Sequence, residues 1–179
     1  RDTMMHIKTA PSLALATVLA LAASMTEAAE PATAATPDFY SVLTTGKAHL
    51  EFRYRLESVD QDPFSRDATA STLRSRLNYQ TGELRGFSAL VEADNVTVIG
   101  DDDAYNSTVN GVTTRPVIAD PGYTEVNQAY LQYKSGSFAG LLGSQRITLD
   151  NQRFIGNVGW RQNEQTYDAV TLKSSALAK

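Results

Sequence analysis

The segment AHLEFRYRLES, Ala48–Ser58, alternates between apolar and ionisable residues over most of its length. Leu50, Phe52, Tyr54 and Leu56 share one parity. The other parity carries five ionisable residues, His49, Glu51, Arg53, Arg55 and Glu57. Because successive side chains of a strand point to opposite faces, this period of two predicts a β-strand with one apolar and one charged face.

The next two segments divide their residues in the same way. In STLRSRLNY, Arg74 and Arg76 alternate with leucines, and in GFSALVEAD, Glu92 and Asp94 share one parity. Charges at strand centres are typical of a transmembrane β-barrel, where a polar interior faces water and an apolar band faces lipid. The first segment alone fits a soluble β-sandwich equally well.

Six segments carry strand patterns of about ten residues, the length that a tilted strand needs to cross a bilayer. The predicted strands are Ala48–Ser58, Ala70–Tyr79, Leu84–Asn95, Thr124–Tyr133, Phe138–Ile147 and Glu164–Lys173. Tight turns at Gln80–Glu83 and Lys134–Ser137 alternate with three long connections, among them Val96–Tyr123 and Thr148–Asn163. Short periplasmic turns and long external loops are typical of outer-membrane barrels. The last three segments alternate less regularly, and their faces stay unassigned.

The amino-terminal residues predict export from the cytoplasm. Residues 1–28 are predicted to be a secretory signal peptide with three upstream residues, because the apolar run Leu13–Met25 follows a basic start and is too short to span a bilayer. Residues 29–46 are predicted to form a flexible leader, with disorder at Glu30–Pro37, and residues 47–179 the barrel.

Composition excludes several classes of function. The net charge is −4 and the sequence has no cysteine, so we expect no nucleic-acid partner and no disulfide or thiolate site. His49 is the one histidine beyond the signal peptide and no G-x-S-x-G motif is present, so we predict no catalytic residue, no metal site and no cofactor. Asp101–Asp103 could form either a solvated acidic loop or oxygen ligands for a cation.

Six strands are too few for closure. Bacterial barrels begin at eight strands, and an open edge in hydrocarbon would leave backbone groups without hydrogen bonds. We therefore predict the amino-terminal part of a larger antiparallel up-and-down barrel, and the abrupt end at SSALAK agrees with truncation.

The later half of the chain resembles a known family. TEVNQAYLQY (Thr124–Tyr133), the long block Gly143–Val170 and the hairpin GELRGFSALVEADNV are similar to the alginate-export family of outer-membrane β-barrel proteins. The resemblance implies a large monomeric barrel that passes solutes or polysaccharide across the outer membrane. Ser144 stands where the family usually has arginine before Gln145–Arg146, which weakens the transfer of a polyuronate site to this chain.

Eight charged residues are the predicted pore-lining set, which would bind the solute. They are Glu51, Arg53, Arg55, Arg74, Arg76, Glu92, Asp94 and Arg146. Clustered arginines would attract anionic sugars, because a guanidinium binds a carboxylate through two hydrogen bonds. The same arginines could instead pair with the neighbouring carboxylates as a structural ladder, and both hypotheses stay open here.

The sequence thus predicts an outer-membrane channel in contact with lipid, through which small or polymeric solutes, among them anionic saccharides, diffuse along a charged lumen. A soluble periplasmic or secreted β-sandwich that binds carbohydrate is the main alternative. A barrel enzyme whose catalytic site lies outside these residues is the third.

Overall fold

The structure is a computed structural model, and it describes residues 38–176. The predicted signal peptide and the disorder predicted for Glu30–Pro37 lie outside the described residues. Within residues 38–176, one short α-helix precedes six strands, and a 3₁₀ turn follows the third strand. Their bounds are α1 Phe39–Thr44, β1 Lys47–Val59, β2 Ala68–Gln80, β3 Phe87–Val98, the 3₁₀ turn Asp102–Ala104, β4 Thr124–Ser135, β5 Phe138–Gln145 and β6 Tyr167–Ser174.

The six strands form one antiparallel up-and-down sheet in the order of the sequence. Within residues 38–176, β1 and β6 each pair with a single neighbour, so the sheet is open, and the predicted all-β, partial-barrel architecture is confirmed. Connections 81–86 and 136–137 lie at one end of the sheet. The longer connections 60–67, 99–123 and 146–166 lie at the other. No helix in the described part of the chain combines the length and hydropathy that a bilayer crossing requires.

The end of the predicted leader contains the helix α1. Asp38 caps α1 by accepting a 2.7 Å hydrogen bond from the amide of Ser41, as N-cap carboxylates commonly do. The amide of Gly82 donates to the carbonyl of Val42, and the hydroxyl of Tyr79 donates to the carbonyl of Leu43. These bonds attach α1 to the end of the sheet that has the short connections.

The first tight turn lies later than predicted. The chain reverses at Arg85 and Gly86, whose φ angles of 52° and 87° suit a two-residue hairpin turn, rather than at Gln80–Glu83. Leu84 and Phe87 exchange backbone hydrogen bonds across this turn. Glycine tolerates positive φ without a steric cost, so the Arg-Gly pair was the better turn signal.

The face predicted to be apolar is the exposed one, which we call the outer face. Phe52 and Leu56 of β1 are each 63% exposed, and Leu172 of β6 is 70% exposed. Phe87 and Tyr133 stack on this face near the short connections, with ring centroids 4.7 Å apart. A sheet that exposes its large apolar residues needs an apolar environment or partner.

The opposite face, which we call the inner face, is covered by two of the long connections. At one end, Tyr105 and Ile118 of loop 99–123 are fully buried against Ala68 and Ala70 of β2. The Tyr105 hydroxyl donates to the carbonyl of Asp120 at 3.1 Å, which fixes the loop in this position. Loop 99–123 therefore folds inward over the sheet.

A β-bulge in β4 changes which residues face inward. Glu92 of β3 pairs with Gln128, but the next residue, Ala93, pairs with Val126, so Asn127 is the additional residue. A bulge of this kind re-aims side chains locally. Asn127 and Gln128 are consecutive and yet both buried on the inner face.

Candidate functional site

Strand register brings the predicted charges together at the centre of the inner face. Arg76 lies between Glu51 of β1 and Asp94 of β3, and Arg53 lies directly opposite Arg74. Because residues directly opposite across two strands have their Cβ atoms about 5 Å apart, the guanidiniums of Arg74 and Arg76 lie within reach of a neighbouring strand's carboxylate. Register alone therefore creates a charge cluster.

Arg76 is the most completely paired of these cations. Its Nε and Nη2 donate to the two carboxylate oxygens of Asp94 at 2.7 and 2.5 Å, which is the bidentate geometry. Nη2 also binds Glu164, and Nε lies 3.4 Å from Glu92. Arg74 donates to Glu51 at 2.6 Å through Nη2. The pairs with Asp94, Glu92 and Glu51 are of the kind that the ladder hypothesis describes, whereas Glu164 was not among its partners.

Arg146 extends the cluster to β4 and β5. Its guanidinium bridges Glu92 and Glu164. The two residues of the bulge add amide donors, since Asn127 donates to Glu92 at 3.0 Å and to Glu164 at 2.8 Å, and Gln128 donates to Glu92 at 3.3 Å. We call these ion-paired residues the charge network. Its members are Glu51, Arg74, Arg76, Glu92, Asp94, Arg146 and Glu164.

Residues 157–165, which we call the covering segment, lie over the charge network. Gln162 is fully buried, and its Nε2 donates to the hydroxyl and carbonyl of Thr72 at 2.9 and 3.2 Å. The backbone amide of Gln162 donates to the carboxylate of Asp120 in loop 99–123 at 2.8 Å, and its side-chain Oε1 accepts from Arg53 at 3.0 Å. Gln162 thus joins the covering segment to β1 and β2 through its side chain and to loop 99–123 through its backbone amide.

Arginines of β1 bind the backbone of the covering segment. Arg53 donates to the carbonyls of Gly159, at 2.9 Å, and Arg161. Arg55 donates to the carbonyl of Trp160. A charged donor forms a stronger hydrogen bond than a neutral one, so these contacts favour a fixed position for the segment.

Beside this segment lies a second group of paired charges. Arg55 binds Glu57 at 2.6 Å, and Arg161 lies 3.3 Å from Glu57. Both guanidiniums lie 3.7 Å from the buried Asp120. Two cations and two anions leave this group electrically balanced.

All eight predicted pore-lining residues lie on the inner face. Four of them are buried beneath the covering segment and its surroundings, namely Arg74, Arg76, Glu92 and Asp94. The others are partly exposed, with Glu51 at 42% and Arg146 at 27% of their side-chain surface. Contact of this set with a solute stays a prediction.

Sequence reasoning missed the residues that join the loops to the sheet. Glu164 was predicted to begin the last strand, but β6 begins at Tyr167 and Glu164 lies in the connection. Gln162 and Asp120 lie in long connections, where no periodicity indicates which way a side chain points. The signal that could have marked Gln162 and Glu164 was their place in the block RFIGNVGWRQNEQTYDAV, which carried the resemblance.

Three carboxylates approach one another closely enough to suggest a cation site. Ligand atoms of Glu92, Asp94 and Glu164 lie within 4.8 Å of one another. However, the guanidiniums of Arg76 and Arg146 bind all three carboxylates and offset two of their three negative charges. The geometry is therefore that of an arginine–carboxylate network.

Three other singled-out positions lie away from the network. His49 is exposed on β1, opposite Asn78. Asp101 caps the 3₁₀ turn by accepting from the amide of Asp103 at 3.0 Å, and whether Asp101–Asp103 bind a cation stays an open prediction. Ser144 lies on the outer face, where its hydroxyl binds Asp168, so a serine at this position removes no cation from the inner face.

Glu164 makes attachment of the covering segment dependent on pH. Burial alone would raise the pKa of its carboxyl, but the hydrogen bond from Arg146 and the charges of Arg76 and Arg146 lower it to about 2 from the usual 4.5. A lowered folded-state pKa stabilises the fold above the unfolded value and loses this contribution as the pH falls towards 2. We expect the free energy of unfolding to fall between pH 4.5 and 2.

Urea unfolding at pH 6 and at pH 2.5 would measure this loss, with Glu164→Gln as the matched variant, because an amide does not titrate there. The variant should lose less stability than the wild type over the same interval. Equal losses in the two proteins would contradict the role assigned to Glu164.

Comparison with protein families supports the resemblance noted in the sequence. Residues 47–178 match the family described as Alginate export, and the match begins at the first residue of β1. Neither the curated proteins nor the solved structures compared with the chain gave a match.

Proposed function

Because the chain belongs to the alginate export family of outer-membrane transport proteins, we propose that its sheet is part of the wall of an outer-membrane channel for a hydrophilic saccharide. The observation that carries the proposal is the opposite character of the two faces. The outer face exposes Phe52 and Leu56, whereas the inner face of the same strands carries paired charges. Lipid outside and water inside would satisfy both faces.

In this channel the covering segment narrows the lumen. Its backbone is bound by Arg53, Arg55 and Arg74, and its Gln162 and Glu164 side chains are bound in turn by the sheet. We assign Arg74 and Arg76 to positioning this segment, since both are buried and paired. The solute would then contact the partly exposed charges around the segment, among them Arg146, Arg161 and Arg55.

A soluble sandwich is less well supported. It would need a second sheet over the apolar face, and residues 38–176 contain a single sheet. Loops 99–123 and 146–166 pack on the charged face instead, and leave Phe52 and Leu172 exposed.

Ion selectivity of the intact protein in planar bilayers tests the proposed lumen. Glu57 and Arg161 belong to the balanced group and are 21% and 18% exposed. We expect Glu57→Gln to shift the reversal potential in a salt gradient towards anion selectivity and Arg161→Gln to shift it towards cation selectivity, because each leaves one unpaired charge at the lumen. The exposed Arg66 gives a matched control, Arg66→Gln. Failure of the wild type to conduct, or identical reversal potentials in all variants, would overturn the proposal.

A further inference from the structure

Trp160 is exposed in a segment that is otherwise bound tightly to the sheet. It is the only tryptophan of the 179 residues and 59% of its surface is accessible, while Gln162, two residues later, is fully buried. Large aromatic residues usually contribute to stability by burial, so an open indole on a fixed segment has no packing role of that kind.

The surroundings hold this indole in one orientation. The guanidinium of Arg161 lies 4.1 Å from the ring centroid and that of Arg55 lies 5.1 Å from it, both within cation–π range. The carbonyl groups of Gly159 and Trp160 accept hydrogen bonds from Arg53 and Arg55, so the backbone on either side of the indole is fixed as well.

The backbone before Trp160 is also strained. Val158 has a φ of 53°, a conformation that is strained for a β-branched residue and persists where surrounding contacts enforce it. Such strain is concentrated at functional sites. Fixed carbonyls, two cations over the ring and a strained residue together hold an indole in place that is still 59% exposed.

We propose that Trp160 is a stacking platform for a pyranose ring of the saccharide, a proposal that rests on the proposed function. A pyranose has an apolar face of C–H groups, which carry partial positive charge and suit the negative face of an indole. Its rim carries hydroxyl groups. The partly exposed Arg55 and Arg161 lie over the indole ring and Glu57 pairs with both, so these charged groups can exchange hydrogen bonds with the rim of a sugar that stacks on the exposed part of the indole.

The position of Trp160 favours a saccharide over lipid. The residue belongs to the segment on the charged inner face, whereas the candidate lipid contacts Phe52 and Leu56 lie on the outer face. The balanced charges beside the indole offer no net attraction to anions, so ring stacking rather than charge should dominate at this position.

Current block by saccharides in planar bilayers tests the platform in the intact protein. Maltohexaose serves as the neutral pyranose probe and a mannuronate hexamer as the anionic one. We expect Trp160→Ala to weaken block by both probes by about tenfold, which corresponds to about 1.4 kcal/mol, and Trp160→Phe to retain part of it. Phe154→Ala is the matched control, because Phe154 is 90% exposed and lies beside Arg153 in the same connection. Both saccharides should block the current of this variant as strongly as that of the wild type.

Unchanged block of Trp160→Ala, or a loss confined to the anionic probe, would overturn the platform while leaving a conducting channel. Tryptophan fluorescence tests saccharide binding at Trp160 independently of conduction. The wild type minus Trp160→Phe difference spectrum should change on titration with maltohexaose, and a constant difference spectrum would contradict stacking. If the wild type binds maltohexaose but carries no current, the proposed channel function is wrong and the proposed stacking role of Trp160 still stands.

Discussion

Replacing Arg76 with alanine is expected to lower the free energy of unfolding of the intact protein by about 3–5 kcal/mol, the cost of removing one partner from a buried ion pair. Arg76 is 7% exposed, and it pairs with Asp94, Glu92 and Glu164. Without it, two of three carboxylates within 4.8 Å of one another, Glu92 and Glu164, would keep Arg146 as their one paired cation among residues 38–176, and Asp94 would keep none there. Repulsion and lost hydrogen bonds would both favour the unfolded chain.

Urea unfolding in lipid vesicles would measure this difference. Arg66→Ala is the matched control, because it removes an exposed arginine from the first long connection and should change stability by less than about 0.5 kcal/mol. A double-mutant cycle with Asp94→Asn isolates the pair, since the second substitution should cost less once Arg76 is absent. Equal stability of Arg76→Ala and the control would mean that the charge network does not hold the sheet together.

Release of the covering segment should have the largest effect on conduction. The double variant Gln162→Ala and Glu164→Ala removes the side-chain contacts that join this segment to Thr72, Arg76 and Arg146. If the segment narrows the lumen, its release should raise the single-channel conductance of the intact protein by about twofold or more, with more frequent fluctuations.

Gln165→Ala is the matched control for that experiment. Gln165 lies in the same segment but is exposed, and its backbone hydrogen bond to the carbonyl of Asn157 does not require the side chain. Its conductance should equal that of the wild type. A double variant that conducts like Gln165→Ala would place the constriction elsewhere.

The regular strands could be predicted because the alternation of apolar and polar residues follows the face of the sheet to which each side chain points. In β1 to β3 each side chain faces either an exposed or a covered surface, and Phe52 and Arg53 differ accordingly in polarity. The predicted strands β1 to β5 lie within two or three residues of their observed bounds because turn residues and loss of alternation mark strand ends.

The faces of β4 could not be assigned because its pattern contains a bulge. Val126 faces outward before the bulge, and Ala129 and Leu131 face outward after it, so the parity changes within one strand. Bulges depend on tertiary pairing, and a single sequence carries little sign of them. Asn127 and Gln128 supply donors to Glu92 for this reason.

The inward position of the covering segment was also beyond sequence reasoning. Its attachment depends on contacts such as Arg53 to Gln162, which are 109 residues apart. Irregular backbone has no period from which a face can be deduced. The charged face of β1 to β3 was visible in the sequence, but the segment that covers this face and pairs with its arginines was not.

Spin-label accessibility at Glu51 and Phe52 of the intact protein in lipid vesicles tests the central claim most directly. These neighbours in β1 lie on opposite faces, and the 179 residues contain no cysteine that would compete for the label. We expect a label at position 52 to be relaxed by oxygen dissolved in the lipid and protected from an aqueous nickel reagent, with the reverse at position 51. A label at position 52 that the nickel reagent reaches and lipid-phase oxygen does not would contradict the central claim.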